Sequence, residues 1–594
     1  MRNILAYATI NRCMGQTTDK RIAVHITHES AKKVGGIGAV LNGVCSTEAY
    51  KNFFDETLLY GPFFQFSQDI FPHFGQEGQV LYSSHDAYDG ANYAGLFRDI
   101  VKKYSVDIVY GKRKLISEYN ISQQNTVDVI NVNINKMSVP AVSRFKFNLW
   151  QNFGLRSDLY EQDWDYQQYL RIAMPYLEIV ERLYGKTPEF YHFAHEYMGM
   201  PSAMAVVMAQ RKHKTIFVAH EVAPARSIVE TTAGGDISFY NILKKTANDT
   251  QSLEKIYGSQ EGNPRSELIK RAVHLDRIFA VSDIVKSEYM FLSPQTPGDE
   301  VRVVYNGLST KPLTFAHKQH SRHLIETYID TLFNFTPDVI LTHLTRLVIS
   351  KGIWRDIALL YCLDEILDSH DLKGAFILVS TLITTGRHTE DVMKMEREYG
   401  WPVLHKVGWP DLEGAEVDMY NYLQVFNSRS KAIKAVFINQ FGFDRMRSGS
   451  RVPADAELAD LRIGSDAELG FSIYEPFGIA QIETVPFGGV AVLSSSCGCV
   501  SFLAEAFESA AIKPYCVVDF IGEGASMSLD QLKKMTIFQR DNIERATLGR
   551  CAPAIFDKLA LTAKRRKEYL ANAHKYSPLL SWETTVQKYL MPNL

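Results

Sequence analysis

Leu469-Gly470-Phe471-Ser472-Ile473-Tyr474-Glu475-Pro476-Phe477-Gly478-Ile479-Ala480-Gln481-Ile482-Glu483 is the stretch on which the fold of this chain turns. Its apolar start, Leu469 to Ile473, predicts a strand, and the residues from about Gly478 to Phe487 predict a helix. A strand running straight into a helix marks the carboxyl edge of an open α/β sheet, where such sheets bind ligands. Pro476 suits a helix start, since its missing N–H is one no helix uses there. The amides of Phe477, Gly478 and Ile479 would then face the oxygens of a sugar or phosphate. Glu475 lies at that mouth, and Glu483 is expected two turns along the same face. Two carboxylates there suit a polyol, because each oxygen accepts from a hydroxyl. An acidic residue favouring the helix dipole, with an exposed glutamate further on, is the plainer reading.

The same alternation extends over the whole chain. Before position 300, strands are predicted at Arg21–Thr27, Val106–Tyr110, Phe190–Phe193, Thr215–Ala219 and Arg277–Val281. They resume at Val301–Tyr305, Asp338–Leu344, Ala375–Ser380, Ala435–Asn439, Leu469–Ile473 and Gly489–Leu493. Strands alternating with helices mean parallel sheets covered on both faces. Three parts are expected: 1–300, 301–555, and a helical piece, 556–594, that crosses back toward the first. Thr310 to Thr336 reads as a surface-exposed helical insertion.

At 594 residues the chain exceeds a single core. With 67 acidic against 64 basic residues it has no basic field to draw nucleic acid or an anionic membrane. Met1 to Met14 lacks the apolar core of a signal peptide, and no run is long enough to span a bilayer. Seven scattered cysteines are no disulfide framework, which suits the reducing cytoplasm. Self-association is left open.

Four further groups carry chemistry in their residue types. Lys32-Lys33-Val34-Gly35-Gly36-Ile37-Gly38 follows the first strand and opens a helix, so its amides and lysine could face a phosphate. It lacks the Gly-Lys-Ser/Thr and dinucleotide patterns, and a plain strand–helix turn fits equally. Arg346 and Lys351, after the second strand of the C-terminal half, could clamp a diphosphate, or be two solvated cations. His192, His195 and Glu196 end one strand, and His220-Glu221 the next, without the spacing of a zinc site. Asp163-Trp164-Asp165 reads as a solvated helix face. Cys497-Gly498-Cys499 reads as a buried turn in which Gly498 lets backbone approach a ligand.

Together these segments resemble the GT-B glycosyltransferases, and most closely the glycogen/starch synthase group. The resemblance runs from about Arg21 to Leu590 through some seven short motifs. It implies two Rossmann-like, doubly wound domains facing a cleft, an acceptor-side one within 1–300 and a nucleotide-sugar one within 301–555. Lys33, Gly35 and Gly36 then approach the donor's phosphates, Arg346 and Lys351 its diphosphate, Glu475 its sugar and Glu483 its ribose. His220 lies near the transferred glucose, and Asn306, Phe477, Gly478 and Ile479 line the donor side. His192 to Gly199 and Gly235 to Asn241 lean toward the animal and fungal branch, which places His195 and Glu196 on the acceptor side. Val304 to Leu308 resembles an interdomain Asn-Gly segment, and Leu580 to Glu583 a Ser-Trp near the C-terminus.

The activity implied is metal- and cofactor-independent retaining transfer from UDP- or ADP-glucose to an α-1,4-glucan. A sucrose-synthase-like or glycan-forming enzyme with a small acceptor, and an inactive glucan-binding scaffold, are the alternatives. An α-glucan phosphorylase is disfavoured, since no pyridoxal-phosphate lysine motif stands out.

Overall fold

The computed structural model describes residues 20–63, 74–75, 78–117, 120–247, 251–383, 385–408 and 411–594. The leader reading of Met1 to Met14 lies outside the described residues. The chain is α/β throughout and falls into two compact units. One comprises Met1–Ser117, Ile121–Val218 and Glu261–Phe279, and the other Glu118–Asn120, Ala219–Gln260 and Ala280–Leu594. The sequence reading put boundaries at 300/301 and 555/556; the compact units change over near 118–120 and at 218/219, 260/261 and 279/280.

The strands of the first unit are β1 (Arg21–Ile26), β2 (Glu56–Pro62), β3 (Gln79–Ser83), β4 (Tyr88–Asp89), β5 (Asp107–Ser117), β6 (Asn120–Asn133), β7 (Glu189–His195), β8 (Lys214–Ala219) and β9 (Arg277–Ala280). They run in the order β9-β8-β7-β1-β2-β6-β5-β3-β4. The centre, β8-β7-β1-β2-β6, is parallel, while β3 pairs antiparallel with β4 and β5. The strand expected at Val106–Tyr110 thus begins a much longer one.

The second unit includes the short β10 (Val301–Val303), which lies outside its six-stranded sheet. Its strands are β11 (Val339–Leu344), β12 (Gly374–Val379), β13 (Ile433–Ile438), β14 (Ala467–Gly470), β15 (Val490–Ser494) and β16 (Tyr515–Val518). The order is β13-β12-β11-β14-β15-β16, parallel throughout. Alternate residues build two cores: Val339, Leu341, Phe376 and Leu378 on one face, Ile340, Ala375, Ile377 and Val379 on the other. Period-two alternation with both faces buried is what the nearly continuous apolar runs encode.

The helix Phe315–Phe333 corrects the reading of 310–336 as a surface insertion. Lys318, Ser321, Arg322, Leu324, Ile325, Tyr328 and Ile329 are buried along one side. Arg322 donates to Asp466 at 2.7 Å and to the carbonyl of Asp338 at 2.7 Å. Lys318 and Arg322 satisfy backbone carbonyls, while His317, Gln319, His320 and His323 on the other side face water.

Candidate active site

Strand order in the second sheet reverses between β11 and β14, the kind of position at which open α/β sheets bind ligands outside the carboxyl ends of their strands. Arg346 and Lys351 lie on a first loop, after β11, and Glu475 on a second, after β14. The two loops run side by side, the carbonyl of Ser350 accepting from the amides of Ile473 at 2.8 Å and Tyr474 at 3.3 Å. Lys351 Nζ donates to Glu475 Oε2, and the two side chains are 15% and 12% exposed. Glu475 also accepts from the Ser472 hydroxyl at 3.3 Å. Its own carbonyl accepts from Gly498 N–H at 2.9 Å, and that of Phe477 from Cys499 N–H at 2.8 Å. Arg346 stands exposed at the head of the first loop.

The run after Glu475 departs from expectation. β14 ends at Gly470, and the helix spans only Ile479–Ile482, followed by a separate turn at Val485–Phe487. Gly478, not Pro476, makes the turn into it: its φ is +97°, and a Cβ there would stand 2.6 Å from Gln481 Oε1 and 2.9 Å from Glu475 Cγ. Glu475 therefore lies outside the helix and Glu483 at its C-cap, so they share no helix face. A four-residue helix also has little dipole to offer an anion.

Phe477 is buried against Tyr305 and Phe502, with ring centroids 6.4 and 5.7 Å away. Asn306, next to Tyr305, is buried too. The two motifs Asn306-Gly307-Leu308 and Ser581-Trp582 pair with each other: Leu308 N–H donates to Leu580 at 2.7 Å, and Trp582 N–H to Leu308 at 3.2 Å. Cys497 and Cys499 are buried in a turn, and burial pushes the Cys497 thiol up to about 12. A Cβ on Gly498 would lie 1.9 Å from the Pro476 carbonyl, so its close approach is to the chain itself rather than to a ligand.

Glu483 pairs with Arg462 Nη1, each side chain 11% exposed. Arg462 Nε lies 3.5 Å from Glu468, a wholly buried β14 side chain whose pKa burial pushes up to about 7. Sequence reasoning missed both partners. His220 is half-buried just past β8, and its neighbour Glu221 pairs with Arg226 at 3.1 Å. Two residues on, Val222 N–H donates to the Tyr474 hydroxyl at 3.1 Å, which links this segment to the residue before Glu475. Lys351 also precedes the helix Ile353–Ser369, which a buried Arg355 braces by donating to Asp236 at 2.7 and 2.9 Å and to Glu544 at 2.6 and 2.9 Å.

In the first unit, Lys33 to Gly36 leads into the helix Gly36–Cys45. The amides of Val34 and Gly35 both donate to Glu29 Oε2, each at 2.6 Å, and Arg113 holds the carbonyls of Glu29 and Ser30 at 2.7 and 2.9 Å. Two amides expected to face a phosphate thus already serve a carboxylate of their own chain. A Cβ on Gly36 would find nothing within 4 Å.

His195 is buried, its Nε2 2.9 Å from His25 Nδ1, and burial pushes His25 down to about 3 and so keeps it neutral. Glu196, also buried, has a φ of +58°, a conformation costing about 1–3 kcal/mol for a side chain of this kind. His192 contacts His213 at 3.0 Å. Asp163 caps the helix Trp164–Tyr184 by accepting from Tyr166 N–H at 2.8 Å. Among the described residues, no group of three or more His, Cys, Asp or Glu is arranged to hold a metal ion, and no helix is long and apolar enough to cross a membrane.

No protein family and no curated protein matches the sequence. Among solved structures, one similar to this chain is an α,α-trehalose-phosphate synthase (UDP-forming) from Burkholderia vietnamiensis. It is 15% identical, with 97% of this chain and 99% of that one covered, at a TM-score of 0.47. Another is the catalytic domain of starch synthase IV from Arabidopsis thaliana bound to ADP and acarbose. It is 13% identical, with 93% and 100% covered, at a TM-score of 0.47. Likeness of this degree assigns this chain neither substrate nor activity.

Proposed function

We propose that the chain is a GT-B glycosyltransferase that moves glucose from UDP- or ADP-glucose to the non-reducing end of an α-1,4-glucan, with retention at the anomeric carbon. One observation carries this reading: the contact of Lys351 with Glu475 at the point where strand order reverses. The motif resemblance gives one of these side chains to the donor's diphosphate and the other to its sugar.

Arg346 and Lys351 would meet the diphosphate and stabilise the charge that grows on it as its bond to the anomeric carbon breaks. The acceptor hydroxyl attacks on the same face while the departing phosphate oxygen takes its proton, so no covalent enzyme intermediate forms. Glu475 holds sugar hydroxyls. It lies beside the lysine and not across a scissile bond from a second carboxyl, which sets it apart from paired hydrolase carboxylates. Glu483, paired with Arg462, meets the ribose, and Asn306, Phe477, Gly478 and Ile479 line the donor side. Lys33 and Gly36 stay assigned to phosphate, His220 to the transferred sugar, and His195 with Glu196 to the acceptor side. No metal is called upon.

A matrix of labelled UDP- and ADP-glucose against glycogen, maltooligosaccharides, fructose and simple glucosides tests the proposal. Growth of maltooligosaccharides with α-linked product supports it. Transfer to a small acceptor alone would move the chain to the sucrose-synthase-like or glycan-forming alternative. Glucan binding without turnover of any donor would make it a scaffold.

A further inference from the structure

We infer that Glu288 is a positioning residue of the transfer site, acting through Tyr474 to set the Glu475 segment against the segment that starts at His220. Glu288 sits on the helix Asp283–Leu292 with no exposed surface. Its Oε1 accepts from the Tyr240 hydroxyl at 2.7 Å and its Oε2 from the Tyr474 hydroxyl at 3.0 Å. The Tyr474 hydroxyl in turn accepts from Val222 N–H at 3.1 Å. The same helix reaches the other side of Glu475, where its N-cap Ser282 donates to the Pro476 carbonyl at 2.6 Å. Residues 474 and 476 are thus both fastened to one helix, and Glu475 is aimed by the pair.

A buried carboxyl is costly, and burial pushes this one up to about 8, with Glu221 adding to the shift and the two tyrosine hydroxyls opposing it. Leucine at 288 and phenylalanine at 474 would fill the same space without that cost. The polar trio does what they cannot: it bonds a backbone amide two residues beyond His220 to the residue before Glu475.

The inference rests on the transferase reading above, so its test has two arms. Donor kcat and KM are measured for Glu288→Ala, Glu288→Gln and Tyr474→Phe, and amide hydrogen exchange is followed over 219–224 and 472–478. Loss of aim predicts kcat lower by about a hundredfold in Glu288→Ala and about tenfold in Tyr474→Phe, donor KM changing by less than about threefold, and Glu288→Gln restoring most of the rate. Exchange at Val222 should quicken at least about tenfold in Glu288→Ala and Tyr474→Phe. Tyr474→Phe removes one hydroxyl and serves if Glu288→Ala does not fold. Unchanged kcat, or lowered kcat with unchanged exchange in both segments, overturns the inference. If the wild-type chain transfers no sugar, the transferase reading fails; the coupling then stands or falls on the exchange arm alone.

Discussion

Glu475 and Glu483 close two ends of one short run and are almost equally sheltered, yet they are built in differently. Glu475 has its carbonyl bonded to Gly498 N–H and its carboxylate on Lys351, 124 residues away in sequence. Glu483 ends a four-residue helix and rests on Arg462, beside the buried Glu468. On the proposed function, the counter-ion of Glu475 would also meet the donor's diphosphate, so donor binding would share or break that ion pair. The counter-ion of Glu483 has no such second task. On that reading, one glutamate would be coupled to the chemistry and the other only to the grip on the nucleotide.

Glu475→Ala should test this contrast most severely. It removes the sugar contact and leaves Lys351 without its carboxylate; transfer should fall at least about 10³-fold in a protein that still folds by circular dichroism. Retained activity would sink the assignment. Lys351→Ala and Arg346→Ala should each lower kcat by about 10²–10³ with a much smaller rise in donor KM; an unchanged kcat counts against a leaving-group role. Glu483→Ala should do the reverse, raising donor KM about tenfold while kcat holds within about threefold, as loss of one ground-state contact requires. A kcat loss matching that of Glu475→Ala would erase the distinction.

The smallest effect concerns the surroundings of Glu483. Burial raises Glu468 from 4.5 in the open chain to about 7 in the folded one. Its stabilising contribution is thus complete below about 4.5 and is lost as pH rises through about 7. Glu468→Gln should flatten that decline, so the melting temperature of the variant relative to wild type climbs across this window. A difference that stays level with pH would mean that the carboxyl is not buried beside Arg462.

Each strand predicted from a dense apolar run has a counterpart in the structure, because burial on both faces keeps most of its residues apolar. β5 and β6 were illegible over most of their length: in Gly111-Lys112-Arg113-Lys114-Leu115, alternate residues are only half-buried, so the sequence resembles a polar loop. The site divides in the same way. Arg346, Lys351 and Glu475 could be read from their places after apolar strands. Glu29, Arg462 and Glu288 could not, for nothing local marks a carboxylate that folds back on a loop five residues later, or one that meets a tyrosine 186 residues away. The helix after Glu475 was overdrawn, since apolar spacing carries no sign that Gly478 takes a left-handed turn.

Gly36 offers a different kind of measurement. The folded chain makes no demand for glycine there, since an added methyl group would meet empty space and would suit a helix start better by up to about 1 kcal/mol. Selection for folding alone should accept alanine at 36 and reject it at 498. Selection for sugar transfer should reject both if a phosphate presses against that backbone. Whichever residues survive at 36 in a functional library therefore record the outline of the ligand, separated from the needs of the scaffold.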